Sequence, residues 1–434
     1  MPHRLDARGP GFEAAFGAFL AARREPREDV SQAVAGILAD VRARGDTALI
    51  EYTRRFDRAT LAAETLRVPD AELAAAAARC PAETLEALEL AARRIEDYHR
   101  RQMPADLEYR DGAGLRLGHR WTAVAAAGLY VPGGTAAYPS SVLMNALPAK
   151  VAGVERRVMV VPAPDGRLDP LVLAAARLAG VTEVYRVGGA QAIAALAYGT
   201  ETIAPVDKIV GPGNAYVAEA KRQVFGAVGI DMMAGPSEIL VVADAENDPA
   251  WIAADLLSQA EHDTAAQAIL MTDDADFAEA VAAAVEGHLA TLPRREIAGQ
   301  SWERHGAIIL LPDLWAAPAL VDRVAPEHLE LAVAEPEALA AKVRNAGAIF
   351  LGRHTPEVIG DYVAGPNHVL PTARGARFSS GLSVLDFMKR SSLIACGPEG
   401  LAAIGPAAVA LARAEGLDAH ALSVAIRLNR RAGD

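Results

Sequence analysis

Gln259 and His262 stand three residues apart in a segment, Asp255 to Asp263, whose apolar spacing predicts a helix. Residues three apart share one helix face, so both side chains could reach one ion. Imidazole is the commonest zinc ligand, and an amide oxygen is a hard companion to it. Glu327 and His328 follow Pro326 and precede an apolar run, at a loop-to-strand junction. An adjacent carboxylate and imidazole suit general acid–base work. Farther on, Gly360, Asp361, Gly365, Pro366, Asn367 and His368 describe a long shaped loop, costly to order unless it builds a site. Asp418 is placed to cap a last helix and to set His420 in its first turn, where the dipole favours neutral, ligating imidazole. Each feature also has a plain structural reading, an exposed helix end in one case and a solvated turn in another. Their weight comes from standing together on one chain.

Three glycine turns add a second kind of chemistry. Gly128–Ser141, Val187–Ala197 and Ile209–Val224 each follow or begin in an apolar run and lead into a helix. A strand, a tight turn and a helix N-terminus offer backbone N–H groups and a positive dipole end to an anion. Gly211 and Gly213 match half of a dinucleotide fingerprint, with Tyr216 in place of the third glycine and Asp231 where a ribose acceptor is usually sought. Most glycine turns serve chain reversal alone; three in one series favour a nucleotide site.

Such residues need a frame, and the sequence predicts an α/β one. From Glu13 to about Met103 the spacing is helical, and Leu107 to Trp121 reads as short strands. A first strand–helix series runs from Val124 to Phe225. A second has strands near Glu238–Val242, Ala268–Thr272, Gly306–Leu311, Leu329–Val333 and Ala348–Leu351, with helices such as Pro249–His262 between them. Alternation of this kind predicts doubly wound parallel sheets. The expected division is a helical region with short strands over 1–120, two Rossmann-like α/β domains over 121–236 and 237–385, and a helical tail over 386–434. The tail is too small for a core of its own and is expected to pack on another body of protein.

Composition narrows the function classes. A chain of 434 residues with 52% hydrophobic and 23% charged residues is that of a soluble globular protein. A formal charge of -12 argues against nucleic acid, whose binding runs on excess Lys and Arg. Cys80 and Cys396 are too few and too far apart for a disulfide framework or a thiolate zinc site. The sequence has neither a signal-like start nor an apolar run of membrane length, so the expectation is a cytoplasmic protein without membrane contact.

Taken in order, these segments resemble the histidinol dehydrogenase family over nearly the whole chain. The matching motifs are YVPGGTAAYPSSVLMNALPAKVAG from Tyr130, GPGNAYVAEAKRQV from Gly211, DMMAGPSEILVVAD from Asp231 and SQAEHD from Ser258. RVAPEHLEL from Arg323, GDYVAGPNHVLPT from Gly360, ARFSSGLSVLDFMKR from Ala376 and EGLDAH from Glu415 continue them. The resemblance implies one Zn2+ per subunit on Gln259, His262, Asp361 and His420, and a catalytic pair of Glu327 and His328. It implies NAD contacts at Tyr130, Gln191 and Asn214. Substrate contacts fall on Ser237, His368 and Glu415, together with Gln259, His262, His328, Asp361 and His420. It implies two-step, NAD-dependent oxidation of L-histidinol to L-histidine by a homodimer whose tail, with Glu415 and His420, completes the partner's site. Val154 stands where many relatives carry a cysteine, which argues against a thiol mechanism. The alternatives are a same-fold dehydrogenase for another small polar alcohol, such as a sulfonated propanediol, and a zinc hydrolase with Glu327 as base.

Overall fold

Residues 1–22, 30–133, 138–232 and 235–428 are described by the computed structural model. Part of the first glycine turn, including Gly134, two residues of the AGPSE turn region and the end of the last expected helix therefore lie outside the described residues. The apolar runs of the first series pair as a five-stranded parallel sheet in the order Glu183–Tyr185, Arg156–Val160, Ala126–Tyr130, Lys208–Val210, Gly229–Ile230. The winding reverses between Ala126–Tyr130 and Lys208–Val210, which opens a crevice beyond their carboxyl ends. The helices Ser31–Arg44 and Asp46–Asp57 join this layer: Val34, Ile37, Val41 and Leu49 share a core with Ile193, Leu196 and Val217.

The second series forms a six-stranded parallel sheet, ordered His3–Asp6, Ala307–Leu310, Gln267–Thr272, Glu238–Ala243, His328–Ala332, Ala348–Leu351. Every residue of Glu238–Ala243 and of His328–Ala332 is buried, because helices cover both faces of these central strands. Phe12, Phe16, Leu320 and Val321 pack on one face, and Leu256, Phe277, Val281 and Trp302 on the other. The N-terminal region is helical as expected over Phe12–Ala21 and Ala82–Arg100, but it opens with an edge strand of this sheet. Four residues, mostly exposed, carry no periodic signal; their pairing with Ala307–Leu310 makes them a strand.

The chain divides into two compact units, residues 1–102 with 125–387, and residues 103–124 with the chain from 388 onward. Both parallel sheets belong to the first. The second holds an antiparallel sheet, Met388–Ala395, Arg116–Ala123, Leu107–Arg110, and the helices Pro398–Ala414 and Asp418–Ala425. These helices pack closely where Gly405 faces Val424 and Leu428. The tail is helical only from Pro398; its first residues form a strand instead, since Arg116–Ala123 supplies a partner that the local pattern does not reveal. No helix among the described residues is long and apolar enough to cross a membrane.

At the crevice of the first sheet, Asp231 has a different role from the ribose acceptor its spacing suggests. Its side chain is 1% exposed and forms an ion pair with Lys221, itself 3% exposed. Asp231 Oδ2 accepts from the Gly211 N–H at 2.7 Å, and Lys221 Nζ donates to the Gly211 carbonyl at 2.9 Å. The pair thus holds Gly211 on both sides. Gly211 has φ +111°, and a Cβ there would lie 2.0 Å from the Tyr130 carbonyl oxygen, so only glycine fits. Lys221→Met leaves a buried carboxylate unpaired and should cost roughly 3–5 kcal/mol of unfolding free energy in urea titration. Adding Asp231→Asn should recover part of that loss; a single variant as stable as the parent would contradict the clamp.

Candidate active site

The crevice of the first sheet opens into a cavity of about 1290 Å³ that extends to the amino ends of Glu238–Ala243 and His328–Ala332 in the second. That exceeds the ~300–1,000 Å³ usual for one small ligand. At one end lie Tyr130, Gln191 and Asn214. Tyr130 ends its strand; its hydroxyl accepts from the Gly189 N–H at 3.1 Å, and burial pushes its pKa up to about 12. Gln191 is buried in the first turn of Gly189–Tyr198, with neither amide atom hydrogen-bonded among the described residues. Asn214 caps Ala215–Val224 by accepting from the Val217 N–H at 3.1 Å. Two helix N-termini and a buried, unpaired amide suit an anionic, hydrogen-bonding ligand such as a dinucleotide.

At the other end the cavity meets Ser237, Gln259, His262, Glu327, His328, Asp361 and His368. Parallel pairing sets His328 beside Ile239, so the preceding residues, Glu327 and Glu238, come side by side. Each backbone N–H then binds the other's carboxylate. Glu327 Oε2 accepts from the Glu238 N–H at 2.9 Å, and Glu238 Oε2 from the Glu327 N–H at 3.3 Å. His328 Nδ1 lies 2.9 Å from the Glu238 carbonyl oxygen and must donate to it. Among the described residues Nε2 is buried without a hydrogen-bond partner, 3.5 Å from Asp361 Oδ1 and 3.7 Å from Glu357 Oε1.

These surroundings govern protonation. Burial, supported by the nearby charge of Glu238, lifts the Glu327 carboxyl to about 7 against the opposing pull of His328. Burial works to lower His328, but the carboxylates of Glu327, Asp361 and Glu357 outweigh it and raise the imidazole to about 10. Burial would raise Asp361, yet His328 and His368 hold it well below the ordinary carboxylate range. His262 and His368 are both lowered, chiefly by desolvation.

The helix Pro249–Ala260 carries Gln259 in its last turn, and His262 falls just beyond, its N–H bonded to the Gln259 carbonyl at 3.1 Å. The two therefore meet at a helix terminus and not on one continuous helical face. Asp361 sits in the short helix Glu357–Tyr362 instead of a loop, and His368 Nδ1 reaches back to the Asp361 carbonyl oxygen at 2.9 Å. Gln259 is buried; its Nε2 donates to Glu357 while Oε1 has no partner among the described residues. His328, Glu357 and Asp361 offer ligand atoms within 4.8 Å of one another. An orphaned amide oxygen, imidazoles and crowded carboxylates form a nitrogen–oxygen donor set that fits a divalent ion such as zinc.

Glu415 and His420 belong to the second unit and are exposed there, and they are not among the residues lining the cavity. His420 does stand in the first turn of Asp418–Ala425, but Asp418 is the first helical residue; Leu417 takes the cap position without a side-chain bond. Sequence reasoning missed Glu238, Glu330 and Glu357 as members of the site. Glu330 is two residues from His328 on one strand, and Glu357 is four from Asp361 on one helix, so each shares a face with an expected residue. Behind the cavity, burial pushes Asp255 up to about 6, with Glu330 as its hydrogen-bonding neighbour. Burial and the charge of Asp255 raise Glu330 well above the ordinary range.

The family model described as histidinol dehydrogenase matches residues 20–428. The chain belongs to the histidinol dehydrogenase family. A histidinol dehydrogenase of Rhodospirillum rubrum is 70% identical over 431 residues, covering 99% of each chain. One from Ruegeria pomeroyi is 66% identical over 433 residues, covering 100% of both. The crystal structure of histidinol dehydrogenase from Elizabethkingia anophelis superposes with a TM-score of 0.94 at 37% identity, over 99% of this chain and 98% of that one. The family's two-sheet α/β architecture is thus the one found here, and it is an oxidoreductase family.

The acid pair of this family member yields a pH prediction. Asp255 titrates higher in the folded state than in the unfolded chain, so its stabilisation is fully present at low pH and disappears as pH rises through about 6. Unfolding free energy should therefore decline between about pH 4 and pH 6, and Glu330→Gln, which removes one acid of the pair, should flatten the decline. Urea titrations across that range check this; equal slopes in both proteins would contradict it.

Proposed function

We propose that this chain oxidises L-histidinol through L-histidinal to L-histidine, the last steps of histidine biosynthesis, using NAD and one zinc ion per subunit. The observation that carries the reading is the buried Glu327–His328 pair, which lines one cavity with Gln259, His262 and Asp361, continuous with the Tyr130, Gln191 and Asn214 end. In this reading the segment 121–236 supplies the dinucleotide side, and 237–385 supplies the metal and acid–base residues. Bound there, NAD would supply the hydride acceptor for both oxidations, and zinc would hold the amino alcohol by its nitrogens and offset the carboxylate charge.

The chain's own residues then divide the proton work. His328 donates from Nδ1 to the Glu238 carbonyl, and once a bound cation offsets the carboxylates that hold the imidazole protonated, its Nε2 would be the acceptor for the substrate hydroxyl proton. Glu327, raised to about 7 and held at Oε2 by the Glu238 N–H, keeps Oε1 to take a proton from the water that attacks the aldehyde. His328 accepts the proton of the resulting diol in the second oxidation. Ser237 and His368 line the same end and orient the substrate. The proposal extends to a cytoplasmic homodimer in which Glu415 and His420 complete the partner's site.

Purified protein should form two NADH per L-histidinol consumed, with activity lost on chelation and restored by zinc. One NADH with free aldehyde would remove Glu327 from the second step; none would favour a sulfonated alcohol or a hydrolytic reaction. Rapid-mixing measurements separate the half-reactions. Glu327→Gln should slow the second by roughly 10²–10⁴-fold while sparing the first, and His328→Asn should slow both.

A further inference from the structure

The two ends of a glutamine side chain are nearly the same shape, yet only the oxygen can ligate a cation. A half-turn of the Gln259 amide would present its NH2 to the cavity, so some group must select the orientation. Glu357 is placed to do so. Its Oε1 accepts from Gln259 Nε2, which leaves the buried Gln259 Oε1 as the free atom. The Glu357 backbone N–H donates to Glu330 Oε1 at 2.5 Å, and Ser258 Oγ lies 3.1 Å from Glu357 Oε2. Glu357 is 1% exposed, opens the helix that carries Asp361, and lies across from the helix that carries both Ser258 and Gln259. A flipped amide would set two oxygens against each other in a buried space.

We infer that Glu357 is a positioning residue that holds the Gln259 amide with its oxygen toward the metal, an inference that rests on the zinc reading above. Glu357 Oε1 accepts as a carboxylate oxygen or as the carbonyl of an acid whose proton sits at Oε2; a proton at Oε1 would instead favour the flipped amide. The selection depends on an acceptor at this point and not on its charge.

Zinc affinity, measured by competition with a chromophoric chelator, tests this apart from activity. Glu357→Met, similar in length but without an acceptor, should weaken zinc binding roughly 10- to 100-fold, as loss of a partner behind a ligand does. Glu357→Ala serves as a second variant should Met disturb folding. Glu357→Gln, whose carbonyl can still accept from Gln259 Nε2, should bind zinc like the parent and leave the visible spectrum of the cobalt-substituted protein unchanged. In a Gln259→Ala background the Glu357→Met loss should vanish, because residues acting through one another are not additive. Parent-like affinity in Glu357→Met, or an undiminished loss in that background, would overturn the inference alone. So would a cobalt spectrum altered by Glu357→Gln, which would make Glu357 itself a ligand. A parent chain that binds no zinc would overturn the zinc reading, and this inference with it.

Discussion

Two glutamates buried side by side would repel, and burying each away from water would be costly, if the backbone did not bind them. Glu238 and Glu327 lie side by side at the amino ends of neighbouring parallel strands, and the backbone N–H of each binds the other's carboxylate. The rest of the site is arranged around this reciprocal clasp. It fixes the register at which the Glu238 carbonyl meets His328 Nδ1, and so turns Nε2 toward Asp361 and Glu357. Through its other oxygen Glu238 also accepts from the Ala373 N–H at 3.0 Å, where Ala373 and Arg374 take positive φ. One side chain therefore ties two strands and a strained loop together.

The two parallel sheets use opposite ends. In the first, the residues beside the cavity follow the carboxyl ends of strands at the reversal of winding, the usual place for a ligand in such sheets. In the second the winding also reverses, between Glu238–Ala243 and His328–Ala332, but Ser237 and Glu327 precede those strands. Here the backbone N–H groups of Glu238 and Glu327 are the donors that hold the two carboxylates.

The two strand–helix series were legible because strands covered on both faces read as unbroken apolar runs. Glu327, His328, Gln259 and Asp361 were legible by type and by resemblance, and the fold brings them into one cavity. Their supporting acids were not. Glu238 acts through strand register, and register is a property of two distant segments. Glu357 begins a helix of only six residues, too short to announce itself by periodicity. Asp231 misled, because an acid at that distance serves equally for a ribose and for a lysine under the turn, and only burial separates the cases. The strands His3–Asp6 and Met388–Ala395 failed for the same reason as each other: their partners are remote.

That remoteness bears on how the protein comes to be made. Arg116–Ala123 pairs along its whole length with Met388–Ala395, so this sheet closes across nearly all of the chain between them. Non-local pairing of this kind is entropically slow, and a polypeptide leaves the ribosome amino end first. Arg116–Ala123 must wait, with one long edge unpaired, until almost the entire protein has been synthesised. The three-stranded sheet is then a late product of folding, and an unguarded edge in the nascent chain is what cellular chaperones would have to shield.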